Sequence, residues 1–585
     1  MPQKTLLATA LLLLALLLAA CGGAPAGGTT APSAEPGGAA PAAPEATAAP
    51  GAPEATAAPG AGGGTLRIGR TAAPDSLNPG AGYLTESFDL WDLAYDTLIR
   101  IDLKGNAYPG LAREWSVAED GRTWSFKLAE GAMWHDGQPV TSEDVKFTFD
   151  MINGFEAFAL LKDYTTLLES VAAPNPTTVV VTFSGPVANT DERFSSLYIL
   201  PKHIWEAFPD ETAATEFENL ALIGSGPFKL AEYKPGEFAR LTAVKDHYAD
   251  APKIDEVIYR VFGNGDAMVQ ALRTGEVDMM EVPTNTVVRS LQAEPTIKVE
   301  IGSGRDLSDI FFNVVTPENC PPDVGVCSGH PALQDVRVRQ ALAHATDKQG
   351  LIDGILLGLG EPGLSLVTPA QGEGFASELQ DYAFDVAKAN QMLDEAGYAD
   401  SDGDGVREMP GDPSKPLTFR YSYPSDQMAS DGQRFYELLR DQWKQAGVEL
   451  KLTQLDGDAL TAVCCPAFDY DVIRWGWGAG VDPASLLYIT TTEQIPTGVS
   501  EAGYSSAEYD ALFQEQQVTV DKAKRIELLH KMQAVLLRDV PYIIPYYAQN
   551  VEAYRSDRFT GWVLESDGRL ALSDRISIIA VTPVK

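Results

Sequence analysis

Few residues of this 585-residue chain are spaced for catalysis. The six histidines include no pair at metal-ligand spacing, and the sequence contains no His-Glu-x-x-His, no Gly-x-Ser-x-Gly and no phosphate-binding loop with a lysine. Pairs of carboxylates do not identify a catalytic site here, because they are common in a chain with 81 Asp and Glu and only 44 Lys and Arg. The sequence therefore predicts a protein that is not an enzyme, with a secreted hydrolase as the alternative from another class.

One acidic loop has the spacing of metal ligands. Asp400, Asp402 and Asp404 precede Gly405, as in the first half of a calcium-binding loop. Position 12 of such a loop is Gly411, so the bidentate acid is missing. Two interpretations stay open, a structural calcium ion on the three aspartates or an Asp/Gly-rich turn between a helix and the next strand. No other cofactor is indicated.

The N-terminus indicates export. Lys4 precedes the apolar run Leu6–Leu18, and that run of 13 residues is shorter than the roughly 20 that span a bilayer. The stretch from Leu18 to Cys21 resembles the bacterial lipobox, whose cysteine takes a diacylglyceryl chain. Residues 1–20 are therefore predicted to be a lipoprotein signal peptide and Cys21 the lipidated residue, with a plain secretory signal as the alternative. The mature chain is expected in the cell envelope, anchored to a membrane by lipid.

Residues 21–64 are predicted to be a disordered linker. All but five of these 44 residues are Ala, Pro, Gly or Thr, and a nine-residue unit occurs twice in tandem, at 43–51 and 52–60. A segment with almost no large apolar side chain cannot offset the entropy lost on ordering. Such a linker would let a folded body stand away from the membrane.

Helix and strand signals alternate through the rest of the chain. Thr141 begins a capped helix, and Asp266 caps a helix that ends at Gly275. Further apolar positions at helical spacing end at Gly397 and at Gly447. Short strands are predicted at 66–68, 277–279 and 448–452. Repeated helix–Gly–strand units predict α/β lobes.

Charge and cysteines limit the partners and the covalent links. A formal net charge of −37 disfavours nucleic acid as a partner.

Besides Cys21 there are four cysteines. Cys320 and Cys327 enclose a short loop, which in an oxidising compartment favours a disulfide between them. For the adjacent Cys464 and Cys465, free thiols and cross-loop pairing both stay open.

The body, residues 65–585, resembles the extracytoplasmic solute-binding proteins of ABC transporters, of the oligopeptide/dipeptide-binding (family 5) type. Each motif is weak alone, but nine or so in the right order are specific. In chain order they include Ser76-Leu77-Asn78-Pro79, Tyr95-Asp96-Thr97-Leu98, Pro109 to Trp115, Trp134-His135-Asp136-Gly137, Pro201 to Trp205, Gly224 to Phe228, Ala271 to Asp278, Asp335 to Leu342, Trp477 before Asp482-Pro483, and Pro541 to Pro545.

The resemblance implies a two-lobed periplasmic-binding-protein fold, type II-like, with an inserted domain and a hinge between the lobes. Lobe one is expected at 65–107, 201–303 and 547–585, its inserted domain at 108–200, and lobe two at 304–546. The implied function is to capture a small solute, a peptide first, and deliver it to a permease with a cytoplasmic ATPase. The chain would act as a monomer. An oligosaccharide-binding member is the alternative within the family.

The resemblance also implies ligand-binding residues on both sides of a cleft. On one side it implies Tyr83, Leu84 and Thr85, and on the other Trp475, Trp477 and Asp482. Peptide-binding members usually place an Asp three residues after the Trp, where it pairs with the peptide's ammonium group. Gly480 occupies that position here. Because a buried ammonium needs a charged partner, either Asp482 has taken the role or the ligand has no free amine there.

Overall fold

The computed structural model describes residues 64–102, 106–249, 251–426, 428, 431–564 and 572–585. The predicted signal peptide, Cys21 and the linker up to residue 63 lie outside the described residues. Within the described ranges, no helix is both long enough and apolar enough to cross a membrane.

The helices are short and well capped. Thr141 and Asp144 form a capping box, as predicted, and Gly275 ends its helix with a left-handed φ of 77°. The cap predicted for that helix was wrong, because the Asn264 side chain rather than Asp266 accepts the Ala267 amide. The helices are α1 (Thr85–Ala94), α2 (Ser142–Gly154), α3 (Ala159–Lys162), α4 (Thr190–Ser196), α5 (Lys202–Trp205), α6 (Glu211–Thr215), α7 (Gly265–Thr274), α8 (Val288–Gln292), α9 (Val336–His344), α10 (Lys348–Ile355), α11 (Val386–Glu395), α12 (Gly432–Lys444), α13 (Gly457–Cys464), α14 (Ala507–Val518), α15 (Lys522–Asp539) and α16 (Arg575–Ala580).

One long mixed sheet runs through the body, and a second, antiparallel sheet belongs to the region predicted as an insertion. The strands are β1 (Thr65–Arg70), β2 (Ile99–Ile101), β3 (Ala107–Pro109), β4 (Ala112–Val117), β5 (Thr123–Leu128), β6 (Leu168–Asn175), β7 (Thr178–Phe183), β8 (Phe228–Lys234), β9 (Phe238–Ala243), β10 (Glu256–Val261), β11 (Met279–Glu281), β12 (Ile297–Phe312), β13 (Gly360–Pro362), β14 (Glu408–Met409), β15 (Asp412–Pro416), β16 (Thr418–Ser422), β17 (Glu449–Leu452), β18 (Val472–Gly478), β19 (Tyr542–Arg555), β20 (Phe559–Thr560) and β21 (Thr582–Pro583). The long sheet has the order β17-β16-β18-β12-β19-β11-β1-β10-β9-β8, and the second has the order β4-β5-β7-β6.

Two long antiparallel strands, β12 and β19, connect the two halves of the long sheet. Their pairing is regular up to Ser303 opposite Gln549 and resumes at Leu307 opposite Tyr547. Gly304 lies in the interruption, and a Cβ there would come within 2.3 Å of the Ala548 carbonyl oxygen. The predicted lobe boundaries at 303/304 and 546/547 lie beside this interruption. We refer to 304–546 as lobe two and to the remainder of the body, with its insertion, as lobe one.

Each lobe has its own hydrophobic core. The core of lobe one includes Trp91, Trp134 and Trp205, and it extends into the insertion through Phe126. The core of lobe two includes Trp443 and the far end of β12. Separate cores joined by two strands are the construction that allows one lobe to rotate against the other.

A buried ion network holds the two ends of lobe one together. Asp96 is fully buried after α1, and its carboxylate accepts hydrogen bonds from Arg575 at 2.5 Å, Arg100 at 3.0 Å and Tyr248 at 2.7 Å. Burial alone would raise the pKa of Asp96, but the charge of Arg575, with the neighbouring His247 and Arg100, holds it well below its usual range. The carboxylate therefore stays ionised and links α1 to α16.

Candidate ligand-binding cleft

The larger of two cavities between the lobes has a volume of about 470 Å³. It is lined by segments that are remote in sequence, from lobe one, the insertion and lobe two. The lining residues are Pro79, Phe88, Asp92, Arg100, Ile101, Asp102, Tyr108, Leu161, Tyr164, Glu192, Ser195, Ser196, Tyr198, Arg305, Gly480, Val481, Asp574, Arg575 and Ile576.

The second cavity, of about 390 Å³, lies where β12 and β19 pass between the lobes. Its lining residues are Ile101, Asp102, Glu281, Ser303, Gly304, Arg305, Asp306, Ala370, Val481, Ala548, Gln549, Asn550 and Asp574. Five of these residues also line the larger cavity, so the two form one continuous cleft that ends at the connecting strands.

The Ser-Leu-Asn-Pro motif positions part of the cavity wall that lobe one contributes. Asn78 is fully buried, and its amide nitrogen donates to the carbonyls of Ala214 at 2.8 Å and Phe217 at 2.9 Å. Its side-chain oxygen accepts the Gly80 amide at 2.8 Å. These bonds satisfy the buried amide group and hold Pro79 at the cavity wall. This explains the Ser-Leu-Asn-Pro motif without a ligand contact by Asn78.

Asp482 has a partner inside lobe two. Both of its carboxylate oxygens accept hydrogen bonds from the Arg525 guanidinium, at 2.6 and 2.8 Å, and the Asp482 side chain is only 7% exposed. Gln371 donates to the carbonyls of Gly480 and Asp482 and so fixes the loop. Arg525 therefore already supplies a counter-charge to this carboxylate, and the role of Asp482 as amine anchor stays a prediction.

Trp475 and Trp477 lie half-buried on β18 against the core of lobe two. The indole nitrogen of Trp477 donates to the Glu501 carboxylate at 3.0 Å. Neither tryptophan lines the two cavities described above, where Gly480 and Val481 of the same segment do. A ligand contact by these rings stays a prediction.

The loop predicted for lobe one is exposed. Tyr83 is 58% and Leu84 44% exposed, their amides donate to the Asp75 carboxylate, and Thr85 begins α1. The larger cavity is lined instead by the flanking residues Pro79 and Phe88. The ligand contacts of Tyr83, Leu84 and Thr85 also stay predictions.

The cleft is acidic, which sequence reasoning missed. Burial raises the pKa of Asp306, Glu281 and Asp92, and burial together with the Asp92 charge raises that of Asp574 to about 6. Raised pKa values in a shared cavity indicate carboxylates with too few cations beside them. No spacing pattern could have revealed them, because they come from segments up to several hundred residues apart.

The acidic loop and the cysteines lie elsewhere in lobe two. Carboxylate oxygens of Asp400, Asp402, Asp404 and Glu408 lie within 4.8 Å of one another. Such hard oxygen donors suit calcium, and Glu408 was not foreseen as a fourth donor, but calcium binding stays a prediction. Disulfides join Cys320 to Cys327 and Cys464 to Cys465.

A cleft between two lobes with separate cores, joined by a pair of strands, defines a two-lobed binding protein. The family model of the bacterial extracellular solute-binding proteins, family 5, matches residues 106–496. The chain therefore belongs to this family of ABC-transporter binding proteins, as its motifs predicted.

Relatives and a solved structure agree on this assignment. The chain is 26% identical over 499 residues to the oligopeptide-binding protein AppA of Bacillus subtilis, covering 83% of this chain and 87% of that protein. It is 25% identical over 541 residues to a dipeptide-binding protein of Escherichia coli, covering 86% and 93%. The crystal structure of the ABC transporter substrate-binding protein CtaP of Listeria monocytogenes has a TM-score of 0.74 at 25% identity, covering 89% of this chain and 100% of that one. The predicted fold, the two-lobed periplasmic-binding-protein fold, is confirmed.

Proposed function

We propose that this protein is the solute-binding component of an ABC importer, which captures a peptide in the cleft between its lobes and delivers it to a permease. The observation that carries the proposal is the larger cavity, because its wall combines lobe one, the insertion and lobe two. A ligand that touches all three favours the closed arrangement of the lobes over the open one. The closed arrangement is what the permease would recognise.

A peptide is the solute class that the cleft and the relatives favour together. The cavity of about 470 Å³ lies within the roughly 300–1,000 Å³ typical of small-ligand sites. Two of the relatives are named for binding oligopeptides and dipeptides. The oligosaccharide alternative depended on Trp475 and Trp477 as a stacking surface, and neither ring lines the two cavities.

Closure requires a hinge, and β12 and β19 are suited to provide it. The pairing of the two strands is interrupted around Gly304, so backbone torsions there can change without breaking a regular ladder. The protein would act as a monomer that hydrolyses nothing. The energy for transport would come from the ATPase of the permease complex.

The proposal is tested by native mass spectrometry of the purified full-length protein, followed by calorimetry. We expect a co-purifying mass that fragments as a peptide, and binding of a mixed tetrapeptide library with an affinity that a library of β-linked oligosaccharides does not match. Binding of the oligosaccharides alone, or turnover of the peptides during the titration, would contradict the proposal.

Membrane attachment through Cys21 gives a second prediction. Cys21→Ala should move the protein from the membrane fraction to the soluble fraction, since two acyl chains give stable anchoring and none would remain. Ser33→Ala is the control, because it changes a residue of the predicted linker without touching the lipobox-like stretch and should leave the membrane fraction unchanged. Fractionation followed by immunoblotting measures both. If Cys21→Ala stays with the membrane, the lipid anchor is not at this residue.

A further inference from the structure

We infer that Glu192, on the lobe-one side of the cleft, binds the cationic nitrogen of the ligand, so that this protein takes solutes with a free ammonium or guanidinium group. The inference rests on the proposed function and deepens it. Glu192 then takes the role of amine anchor that the sequence suggested for Asp482, whose carboxylate pairs with Arg525.

Glu192 is placed at the point where the lobes face each other. It lies on α4 and lines the larger cavity together with Ser195 and Ser196 of the same helix. Gly480 and Val481 of lobe two line the same cavity opposite them. A Cβ built on Gly480 would lie 3.5 Å from Oε1 of Glu192. The Glu192 carboxylate therefore occupies the space that a side chain at position 480 would enter.

Glu192 has no cationic partner within the described residues. Its Oε2 accepts a hydrogen bond from the Asn189 side chain at 3.3 Å. The nearby cation is Arg525, and both of its terminal nitrogens donate to Asp482. The donors to this half-buried carboxylate are neutral, namely the Asn189 side chain and the Asp482 backbone amide, and a cavity lies beside it. Such a carboxylate is suited to accept a ligand cation.

The charge around Glu192 favours a cation as well. Within the described residues, six carboxylates and three arginines line the two cavities: Asp92, Asp102, Glu192, Glu281, Asp306 and Asp574 against Arg100, Arg305 and Arg575. Two of the arginines, Arg100 and Arg575, also pair with Asp96 behind the wall. The excess of negative charge attracts a cationic group and repels a ligand with a net negative charge.

Packing and charge both favour glycine at position 480, where a Cβ would also lie 2.9 Å from Cβ of Ser485. An aspartate there would point its carboxylate at Glu192 across a short gap, and two like charges at that distance disfavour each other. A single carboxylate from lobe one, with glycine opposite, leaves room for the ligand's nitrogen. Lobe one rather than lobe two then holds the cationic end of the ligand.

The inference predicts a pH dependence of binding. Burial, and then the charge of Asp482, raises the pKa of Glu192 to about 7. Hydrogen bonds from the Asn189 side chain and the Asp482 backbone, and the charge of Arg525, act in the opposite direction. Asp191, on the same helix, also faces Asp482 and Arg525 across the gap. A bound cation favours the ionised carboxylate. Affinity for a cationic ligand should therefore fall as the pH drops below about 7, and Glu192 should release protons on binding in that same range.

The test uses Glu192→Gln in the purified full-length protein and two probes. The probes are a tetrapeptide library of Ala, Leu, Phe and Ser with free amino termini and the same library N-acetylated, titrated by calorimetry at pH 6 and pH 8. Wild type should bind the free-amine library about 10- to 100-fold tighter at pH 8. Glu192→Gln should remove that preference and its pH dependence. Asp191→Asn, which changes the charge one residue away and outside the cavity lining, should keep both.

Glu192→Asp keeps the carboxylate and should retain part of the preference, and melting temperatures of all variants report folding. If wild type prefers free amines and Glu192→Gln retains the full preference, Glu192 is not the anchor although peptide binding stands. If wild type binds both libraries equally, the cleft does not select a cation and the inference is overturned. If wild type binds neither library, the proposed function itself fails.

Discussion

Replacing Asp96 with Asn should lower the free energy of unfolding by about 3–5 kcal/mol, because removing one partner of a buried ion pair leaves the others unpaired. Asp96 is fully buried, and it is the shared partner of Arg100 and Arg575. Tyr248 and Ser225 also donate to its carboxylate. The neutral amide would remove the carboxylate charge that Arg100 and Arg575 share inside lobe one.

Urea unfolding followed by circular dichroism measures this loss. The control is Asp150→Asn, which removes an exposed i,i+4 pair with Lys146 and should change stability by less than about 1 kcal/mol. Equal small losses in the two variants would show that the Asp96 network contributes no more than a surface pair.

Asp309→Asn should have the opposite effect and stabilise the protein at pH 8, by a few kcal/mol at most. Within the described residues, neither carboxylate oxygen of Asp309 has a hydrogen-bond partner, although both are buried. Burial raises the pKa of Asp309, and burial with the Asp309 charge raises that of Glu501 well above its usual range. At these two carboxyls the folded protein therefore binds more protons than the unfolded chain between about pH 4 and their raised pKa values. Its stability falls as the pH rises from there through the raised pKa values.

Melting temperatures between pH 5 and pH 8 test this prediction. Wild type should lose stability toward pH 8, and Asp309→Asn should flatten the dependence and exceed wild type at pH 8. Asp441→Asn, an exposed control on α12, should follow the wild-type curve. If Asp309→Asn melts below wild type at pH 8 and keeps its slope, the ionised form of Asp309 is not costly in the folded state.

The local part of the fold could be predicted from the sequence because its signals are short-range. Gly275, Gly397 and Gly447 follow helices and have positive φ angles, as their positions after apolar-periodic runs indicated. The cap of α7 was assigned to Asp266 instead of Asn264 because short-range signals do not separate neighbouring cap candidates. Asn and Asp compete for the cap over three positions, and only the backbone geometry decides between them.

The site could be predicted only in part. The segment from Trp475 to Asp482 does reach the cleft, but through Gly480 and Val481 rather than the side chains expected to bind. The partner of Asp482 is Arg525, 43 positions further on, and no pattern links them. Glu192 could not be recognised because its role depends on what faces it across the gap between lobes.

The ion network of lobe one also determines when lobe one can finish folding during synthesis or export. Asp96 and Arg575 are 479 positions apart, and Arg575 is only ten residues from the end of the chain. A chain that emerges N-terminus first, from a ribosome or through a translocation channel, has no counter-charge for Asp96 from α16 until the 479 positions up to Arg575 have followed. Until then lobe one lacks this ion pair and stays incompletely folded. A chain that stops before Arg575 would lack this ion pair permanently, and Asp96 would keep only its partners from lobe one that precede α16.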